Sequence, residues 1–348
     1  MNSTSTHLKK GFGSDNHAPV HPQILQSILA CNQGHEPSYG TDDLTLDTQK
    51  KFQKLFEHPV QTFFVFNGTA ANVLALKAIC KTYQSVFVSD VSHVNVDECG
   101  APENIGGFKL IPIASHDGKI TVEGLEKELK RRGDQHFSQP AVVSVTQPTE
   151  VGTVYSLEEL KNIFDFCKKN SLLIHIDGAR IANAVHSLKT SFYKMTVELG
   201  VDVVSFGGTK NGFLFGEAVV FINQELAKDF KFIRKQGCQL PSKTRYIACQ
   251  FQAYLENQLW NQIAQHSHQM ALLLEENLKK FSQVEITHPV QSNAVFAKFP
   301  REWIKGLREV AFFYIWDEKT FECRLMMSWD TQKEDIFKFI EYIQTRAT

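Results

Sequence analysis

A single lysine, Lys210, lies among small residues in the stretch "SFGGTKNG", directly after the apolar run "VDVVSF". In a partly desolvated pocket at the end of a strand, a lysine amine becomes nucleophilic enough to form an imine with a carbonyl group. A carboxylate, Asp177, ends the apolar run "LLIHID". At the mouth of a buried strand a carboxylate is unfavourable unless it binds a positive partner or a protonated nitrogen. Taken alone, Lys210 is explained as a solvated surface lysine, and Asp177 as an ion-pair partner of Arg180. A functional role for either residue therefore depends on the other motifs of the chain.

Two further segments supply a phosphate-binding turn and an imidazole. In "FFVFNGTAAN" a strand-like run is followed by Gly68 and Thr69 and then by a helical pattern. The free N–H groups of a helix start favour an anion such as phosphate. His93 follows the run "SVFVSD" and could stack on a planar ligand or act as an acid or base near neutral pH. The spacing of His93, Asp97 and Glu98 matches no strong metal-ligand signature, so we expect no metal site.

Together these residues are the parts needed to hold pyridoxal 5'-phosphate. Gly68 and Thr69 would bind the phosphate, and His93 would cover the face of the ring. Asp177 would keep the pyridine nitrogen protonated, and Lys210 would form the Schiff base. The order of the four parts along the chain matches that of aspartate-aminotransferase-like enzymes with this cofactor.

Alternating elements must position these residues. From about Phe63, short β-rich apolar runs alternate with longer amphipathic stretches, which indicates an α/β fold around a largely parallel sheet. In such sheets ligands lie beyond the carboxyl ends of the strands. After about Arg245 a long helical stretch leads into short strand-like pieces and a final helix, "KEDIFKFIEYIQTRA". We therefore expect a large α/β domain over residues 1–245, including an N-terminal segment, and a smaller α+β domain over residues 246–348.

Composition narrows the class of protein. A chain of 348 residues with 43% hydrophobic and 22% charged residues is long enough for one large core and an appended domain. A net charge of −1, without long runs of one sign, argues against a nucleic-acid partner. No stretch has the apolar length of a signal peptide or a membrane span, so we expect no membrane contact and a cytoplasmic location. The seven scattered cysteines form no C-x-x-C pair, so we expect reduced thiols.

On these motifs the chain resembles the threonine aldolase/β-eliminating lyase family. The matching pieces are "SDN...HP", "GTAAN", "H-x-x-x-x-E-C-G", "HIDGAR" and "SFGGTKNG", and the likeness extends from about residue 13 to about residue 331. The resemblance implies the aspartate-aminotransferase-like fold, with a mainly parallel seven-stranded sheet flanked by helices and a small C-terminal α+β domain. It also implies a homo-oligomer, a dimer of dimers, whose subunits share active sites.

The resemblance assigns roles residue by residue, and it leaves the cofactor roles given above unchanged. Ser14, Arg180 and Arg324 match the family's ligands of the substrate α-carboxylate. His136, in "GDQHFSQP", matches a second active-site histidine and candidate base. Arg245, in "SKTRY", matches an arginine that binds the phosphate in the neighbouring subunit. The segment "GCQLPSKTRY" is longer than the corresponding glycine-rich stretch of typical aldolases. The segment "VTQPTEVGTVY" stands where typical aldolases have one like "ENTHN", which leaves the substrate side chain open.

The implied reaction is cleavage of the Cα–Cβ bond of L-threonine, L-allo-threonine and related β-hydroxy amino acids to glycine and an aldehyde. Either His136 or His93 would remove the hydroxyl proton. The alternatives are a β-eliminating lyase with the same cofactor and a catalytically silent protein of the same fold. A nicotinamide dehydrogenase is disfavoured, because "GFGSDN" lacks the third glycine of the dinucleotide-binding motif and does not follow a strand.

Overall fold

The computed structural model describes residues 10–347, which form a seven-stranded and a four-stranded sheet. The strands are β1 (Gln61–Val65), β2 (Gln84–Ser89), β3 (Lys109–Ile113), β4 (Gln139–Thr146), β5 (Leu173–Gly178), β6 (Val203–Phe206), β7 (Glu217–Phe221), β8 (Glu285–Ile286), β9 (Ala294–Lys298), β10 (Tyr314–Asp317) and β11 (Glu322–Met326). The α-helices are α1 (Pro22–Cys31), α2 (Asp43–Leu55), α3 (Gly68–Ile79), α4 (His93–Val96), α5 (Val122–Glu128), α6 (Leu157–Lys169), α7 (Ile181–Ser187), α8 (Phe230–Gln236), α9 (Arg245–Leu255), α10 (Leu259–Leu278), α11 (Arg301–Val310) and α12 (Lys333–Ala347).

The large sheet has the strand order β1-β7-β6-β5-β4-β2-β3. Strand β7 runs antiparallel to both of its neighbours, and the remaining pairs are parallel. The prediction of a mainly parallel seven-stranded α/β sheet is therefore confirmed. The central strands are continuous apolar runs because both faces of the sheet are covered, as parallel sheets require.

Two apolar cores lie on opposite faces of this sheet. The adjacent residues Val203 and Val204 of β6 belong to different cores, since successive side chains of a strand point to opposite faces. Helix α3 contributes its apolar residues to one core, and α2, α6, α7 and α9 contribute theirs to the other. The sheet is thus held between two layers of helices, which leaves its strand ends free to carry a site.

Side-chain caps fix the starts of helices α5 and α6. Ser156 caps α6: its hydroxyl accepts from the Glu159 amide, and the Glu159 carboxylate accepts from the Ser156 amide. Thr121 caps α5 by accepting from the Gly124 amide. Among residues 10–347 no helix is both long enough and apolar enough to cross a membrane.

The small sheet, with strand order β10-β11-β9-β8, is antiparallel and packs with α11 and α12. Its core also contains Phe12, which is 1% exposed although it lies near the other end of the chain. The Phe12 amide donates to the carbonyl of Phe312 at 2.7 Å, and its carbonyl accepts from the amide of Met326 at 2.7 Å. The N-terminal segment is therefore built into the small domain before the chain enters the large one.

The region after Arg245 differs from the expectation of one long helix. A left-handed break at Asn257 and Gln258, with φ of 49° and 56°, separates α9 from α10. The large core continues along α10 to Ala264, and the small core begins at Met270. On this packing we propose that the domain division lies within α10 rather than at residue 246. Strand β10 and helix α11 were not anticipated.

Candidate active site

Four strand ends of the large sheet meet at one cavity of about 390 Å³. Strand β5 ends beside Asp177, β6 leads into the short turn that carries Lys210, β2 leads to His93, and β1 leads to Gly68 and Thr69. All five residues line the cavity. Its volume lies in the range of about 300–1,000 Å³ that is typical of sites for small ligands.

Asp177 is buried at the floor of the cavity, with 3% of its surface exposed. One carboxylate oxygen accepts from the Ala179 amide at 3.1 Å, and the other accepts from Nδ2 of Asn72 at 2.9 Å. Within residues 10–347 no cation hydrogen-bonds to it. Burial, followed by the charge of Glu150, raises the pKa of Asp177. A protonated ring nitrogen in the cavity would supply the missing positive partner.

His93 is held by a second buried carboxylate. Its Nδ1 lies 2.9 Å from Oε1 of Glu98, whose side chain is wholly buried. The hydrogen bond to Glu98 raises the pKa of His93, against the opposing effect of burial. Asn72 donates to the same Glu98 oxygen at 3.1 Å and also to Asp177, so one amide group links the two carboxylates. The imidazole orientation is thereby fixed at the cavity wall.

The start of α3 presents unused backbone donors to the cavity. Asn67 caps this helix: its side chain accepts from the Ala70 amide and its carbonyl accepts from the Ala71 amide. The two preceding amides, of Gly68 and Thr69, have no acceptor in the helix. A Cβ atom placed on Gly68 would meet nothing within 4 Å, so open space lies beside these donors. This end of the cavity has the donors and the room for a phosphate group.

Lys210 is partly buried, and its amine forms no hydrogen bond or ion pair with any described residue. Two glycines precede Lys210 in tightly packed backbone. A Cβ atom on Gly207 would lie 2.0 Å from the carbonyl oxygen of Ala179, and one on Gly208 would lie 2.3 Å from that of Gly216. Backbone packing between neighbouring strand ends, rather than approach by a ligand, therefore requires both glycines.

Glu217 lies below the Lys210 turn and also lines the cavity. It accepts from the amide of Gly208, and its side chain is buried. Burial raises the pKa of Glu217 to about 7. A carboxyl group that takes up a proton near neutral pH can lie close to a bound anion, because its protonated form carries no negative charge.

Arg180 does not pair with Asp177, as local sequence would allow, but with Asp15. Its Nε and Nη2 donate to the two oxygens of Asp15 at 2.5 and 3.0 Å. Although burial opposes ionisation of Asp15, the Arg180 guanidinium lowers its pKa. Ser14 precedes this pair, and its hydroxyl oxygen accepts from the Asn16 amide at 3.1 Å, which leaves the hydroxyl proton available.

Arg324 approaches from the small domain. Its guanidinium lies 4.9 Å from the ring centroid of Trp316, and Nη2 donates to the carbonyl of Gly13 at 3.4 Å. Its Nε is buried without a hydrogen-bond partner among the described residues. Burial, followed by the charge of Arg180, lowers the pKa of Arg324. Two arginines from two domains are thus close enough to interact, as a shared anionic ligand would require.

The structure does not bring His136 to the cavity of its own chain. His136 lies in the loop before β4, at the amino end of that strand, whereas the cavity lies at the carboxyl ends. Thr146, the last residue of β4, pairs with Asp177, so the length of β4, about 23 Å at 3.3 Å per residue, separates His136 from the site. An exposed His136 there cannot act as a base in this cavity.

Arg245 begins α9 outside the cavity. Its Nη1 donates to the carbonyl of Gln33 at 3.4 Å, and its guanidinium lies 5.2 Å from the ring centroid of Tyr246. A role in the cavity of a neighbouring subunit therefore stays a prediction.

Several residues of the site received no role from the sequence alone. The buried polar groups that complete its lining are Asn72, Glu98, Glu150 and Glu217, and Asp15 lies beside it as the partner of Arg180. Asn72 carried a signal, since it lies one helical turn after Gly68 in "GTAAN", on the face of α3 that its start presents to the cavity. Asp15 belongs to the motif "SDN...HP", but no local pattern indicated its role, because its partner lies 165 residues along the chain.

Comparison with known proteins places this geometry in a family. The model of the β-eliminating lyase family matches residues 11–300. A low specificity L-threonine aldolase of a Pseudomonas species is 40% identical to the chain, over 94% of this chain and 95% of its own length. A low specificity L-threonine aldolase of Pseudomonas aeruginosa is 41% identical, over 93% of this chain and 94% of its own length. The structure of a Leishmania major threonine aldolase matches with a TM-score of 0.91 at 27% identity, over 98% of this chain and all of that one. The chain belongs to the β-eliminating lyase family.

Proposed function

We propose that the protein is a pyridoxal 5'-phosphate-dependent aldehyde-lyase that cleaves L-threonine, L-allo-threonine and related β-hydroxy amino acids to glycine and an aldehyde. The observation that carries the proposal is the arrangement of four groups around one cavity: a lysine amine and a buried carboxylate, neither of which is paired with an opposite charge among residues 10–347, an oriented imidazole and the open end of a helix. The names of the 40–41% identical relatives support the choice of substrate.

The residues around the cavity suit this cofactor in both charge and position. When bound, pyridoxal phosphate withdraws electrons from the Cα atom of an attached amino acid. Lys210 would hold the aldehyde carbon, and the amides of Gly68 and Thr69 would bind the phosphate. Asp177 would keep the ring nitrogen protonated, and His93 would pack against the ring face.

The substrate carboxylate would bind between the two domains. Arg180 has further N–H groups besides the two that Asp15 occupies, and the Nε of Arg324 has no hydrogen-bond partner in the part of the chain that the structure describes. The hydroxyl proton of Ser14 is available beside them. Bidentate contacts from arginines fix the plane of a carboxylate, and hence the orientation of the bond that is to break.

We propose further that the protein forms a homo-oligomer, a dimer of dimers, in which Arg245 contributes to the phosphate site of a neighbouring subunit. Exposed apolar side chains lie at the cavity and beside it: Phe66 and Phe215, which line the cavity, are 38% and 36% exposed, and Leu214, which lines a neighbouring pocket with them, is 53% exposed. Such a patch beside a site suits burial by a second subunit. The unpaired state of all seven cysteines suits the cytoplasm, where thiols stay reduced.

The test uses purified protein loaded with pyridoxal phosphate. A visible absorption band should disappear on borohydride reduction, with the label on Lys210, and L-threonine should yield glycine and acetaldehyde in equal amounts. Lys210→Ala should abolish the band, and the exposed-lysine control Lys305→Ala should keep it. A protein that stays colourless with added cofactor would contradict the proposal.

One observation favours a second candidate. The family model that matches the chain carries the description "beta-eliminating lyase", which names the reaction of this second candidate. A β-eliminating lyase would release a keto acid and ammonia instead of glycine, so product analysis separates the two reactions. Cofactor binding without turnover of any amino acid would indicate a catalytically silent member of the fold.

A further inference from the structure

A carboxylate without a partner faces the cavity from the loop between β4 and α6. Glu150 is 8% exposed and lines the cavity, yet among residues 10–347 it has no hydrogen bond or ion pair. Burying a carboxylate with no hydrogen-bond donor beside it is unfavourable unless a ligand supplies the donor. The position of Glu150, facing the cavity without a donor among the described residues, therefore favours contact with a ligand group.

The loop that carries Glu150 is held in place from several sides. The side chain of Gln147 donates to the carbonyl of Tyr155 at 3.0 Å and accepts from its amide at 3.0 Å. The carbonyl of Gly152 accepts from the hydroxyl of Ser292, in the other half of the chain, at 2.8 Å. A carboxylate on such a loop is positioned before the ligand arrives.

Glu150 lines the same cavity as Lys210, His93 and Asp177. Its charge also acts on Arg180 and Arg324, the proposed ligands of the substrate carboxylate. A substrate held by Lys210 at one end and by the two arginines at the other would therefore place Cα and the start of its side chain in the cavity that Glu150 faces.

We propose that Glu150 is a catalytic residue that binds the β-hydroxyl group of the substrate and accepts its proton, an inference that rests on the proposed function. Three polar groups of the substrate could face Glu150. The α-carboxylate is excluded by charge repulsion, and the α-amine is occupied by its bond to the cofactor. The β-hydroxyl is the remaining hydrogen-bond donor.

His93 is less suited to this task. Its hydrogen bond with the buried Glu98 raises its pKa and so favours the protonated imidazolium, which has no lone pair to accept a proton. The imidazole is also committed at Nδ1, which fixes it as a wall of the cavity. Neither oxygen of Glu150 is hydrogen-bonded to any residue that the structure describes.

The hydroxyl O–H bond breaks, its proton moves to a Glu150 oxygen, and its electron pair forms the second C–O bond of the aldehyde. The Cα–Cβ bond breaks and its electron pair stays with Cα, a carbon from which bound pyridoxal phosphate would withdraw electrons. Cα then takes a proton from solvent to give glycine, and Glu150 returns its proton to solvent.

The test separates the hydroxyl step from the rest of the reaction. Glu150→Gln keeps the size of the side chain but cannot accept the proton. Three quantities are measured on the cofactor-loaded enzyme: the visible band, the exchange of the Cα hydrogen of glycine with deuterium from solvent, and the rate of L-threonine cleavage. We expect the band and the exchange to stay within about twofold of wild type, and cleavage to fall by about 10²–10⁴-fold. The exposed Glu158→Gln should match wild type in all three.

Glycine has no hydroxyl group, so its exchange reports every other function of the site. Unchanged cleavage in Glu150→Gln, or equal losses of cleavage and exchange, would overturn the assignment. If Glu150→Gln did not bind the cofactor, the test is made with Glu150→Asp, which keeps the carboxylate but on a shorter side chain. The rate of L-threonine cleavage divided by the rate of glycine exchange is then compared between this variant and wild type, and an unchanged ratio would again overturn the assignment. Wild-type enzyme that exchanges glycine but releases no aldehyde from L-threonine would refute the proposed function itself, and the role of Glu150 with it.

Discussion

The buried pair of Asp15 and Arg180 allows a quantitative prediction. Asp15→Asn keeps the size of the side chain but leaves the Arg180 guanidinium, only 12% exposed, without its counter-charge. Removing one partner of a buried pair costs about 3–5 kcal/mol, and the residual exposure of Arg180 favours the lower value. At about 2.1 cal/mol/K of unfolding entropy per residue, 3 kcal/mol in a chain of 348 residues lowers Tm by about 4 °C.

The dependence of this effect on pH follows from the lowered pKa of Asp15. A carboxyl group whose pKa is lower in the folded than in the unfolded state stabilises the fold above its unfolded pKa, and the stabilisation is lost as pH falls through the folded pKa. The ordinary value for Asp15 is 3.8, so the difference between wild type and Asp15→Asn should be equal at pH 7 and pH 5 and should shrink only below about pH 4.

The assay is urea unfolding at fixed protein concentration, with Tm measured in parallel. Asp47→Asn, which removes an exposed surface pair with Lys50, is the matched control and should leave the midpoint unchanged. The double variant Asp15→Asn/Arg180→Gln should lose less stability than the two single variants added together, because each single change leaves one buried group unpaired. Wild-type stability of Asp15→Asn, or strict additivity, would refute the reasoning.

Three further outcomes are expected. Asp177→Asn should lower kcat for L-threonine by about 10²–10³-fold while the visible band of the Lys210-bound cofactor remains; full activity would contradict the role of Asp177. Gly207→Ala should lower the free energy of unfolding by more than about 3 kcal/mol, because its Cβ would lie 2.0 Å from the Ala179 backbone. Gly68→Ala should unfold like wild type, since its Cβ would meet nothing within 4 Å, but should bind pyridoxal phosphate more weakly in a spectroscopic titration. Gln258→Gly should raise the free energy of unfolding by about 1 kcal/mol, since glycine adopts the left-handed conformation without a steric penalty, and no gain in urea unfolding would count against that explanation.

The residues that the sequence could predict are those fixed by local rules. Lys210, Asp177 and Gly68 each follow directly on an apolar run, and carboxyl ends of parallel strands lie along one edge of a sheet. Three local patterns were therefore enough to predict one site. The same rule could have excluded His136, because it precedes its strand instead of following it.

The remaining parts of the site depend on contacts between distant residues, which no local pattern encodes. Asp15 finds Arg180 across 165 positions, and nothing in "GSDNH" distinguishes this partner from Asp177, three residues from Arg180. Glu150 lies in a loop whose place is set by side chains from the other half of the chain. The break at Asn257 was missed because the apolar pattern continues on both sides of it.

The route of the N-terminal segment limits how the two domains can move. Phe12 is anchored in the small domain, Asp15 is bound to the large one, and α10 crosses between the same two bodies elsewhere. A third connection lies away from both: Ser292 donates to the carbonyl of Gly152, and His288 lies 2.7 Å from Asp117. A body held at three separate places cannot rotate about a line through two of them, so the small domain keeps Arg324 in a fixed position relative to Arg180 before any ligand binds.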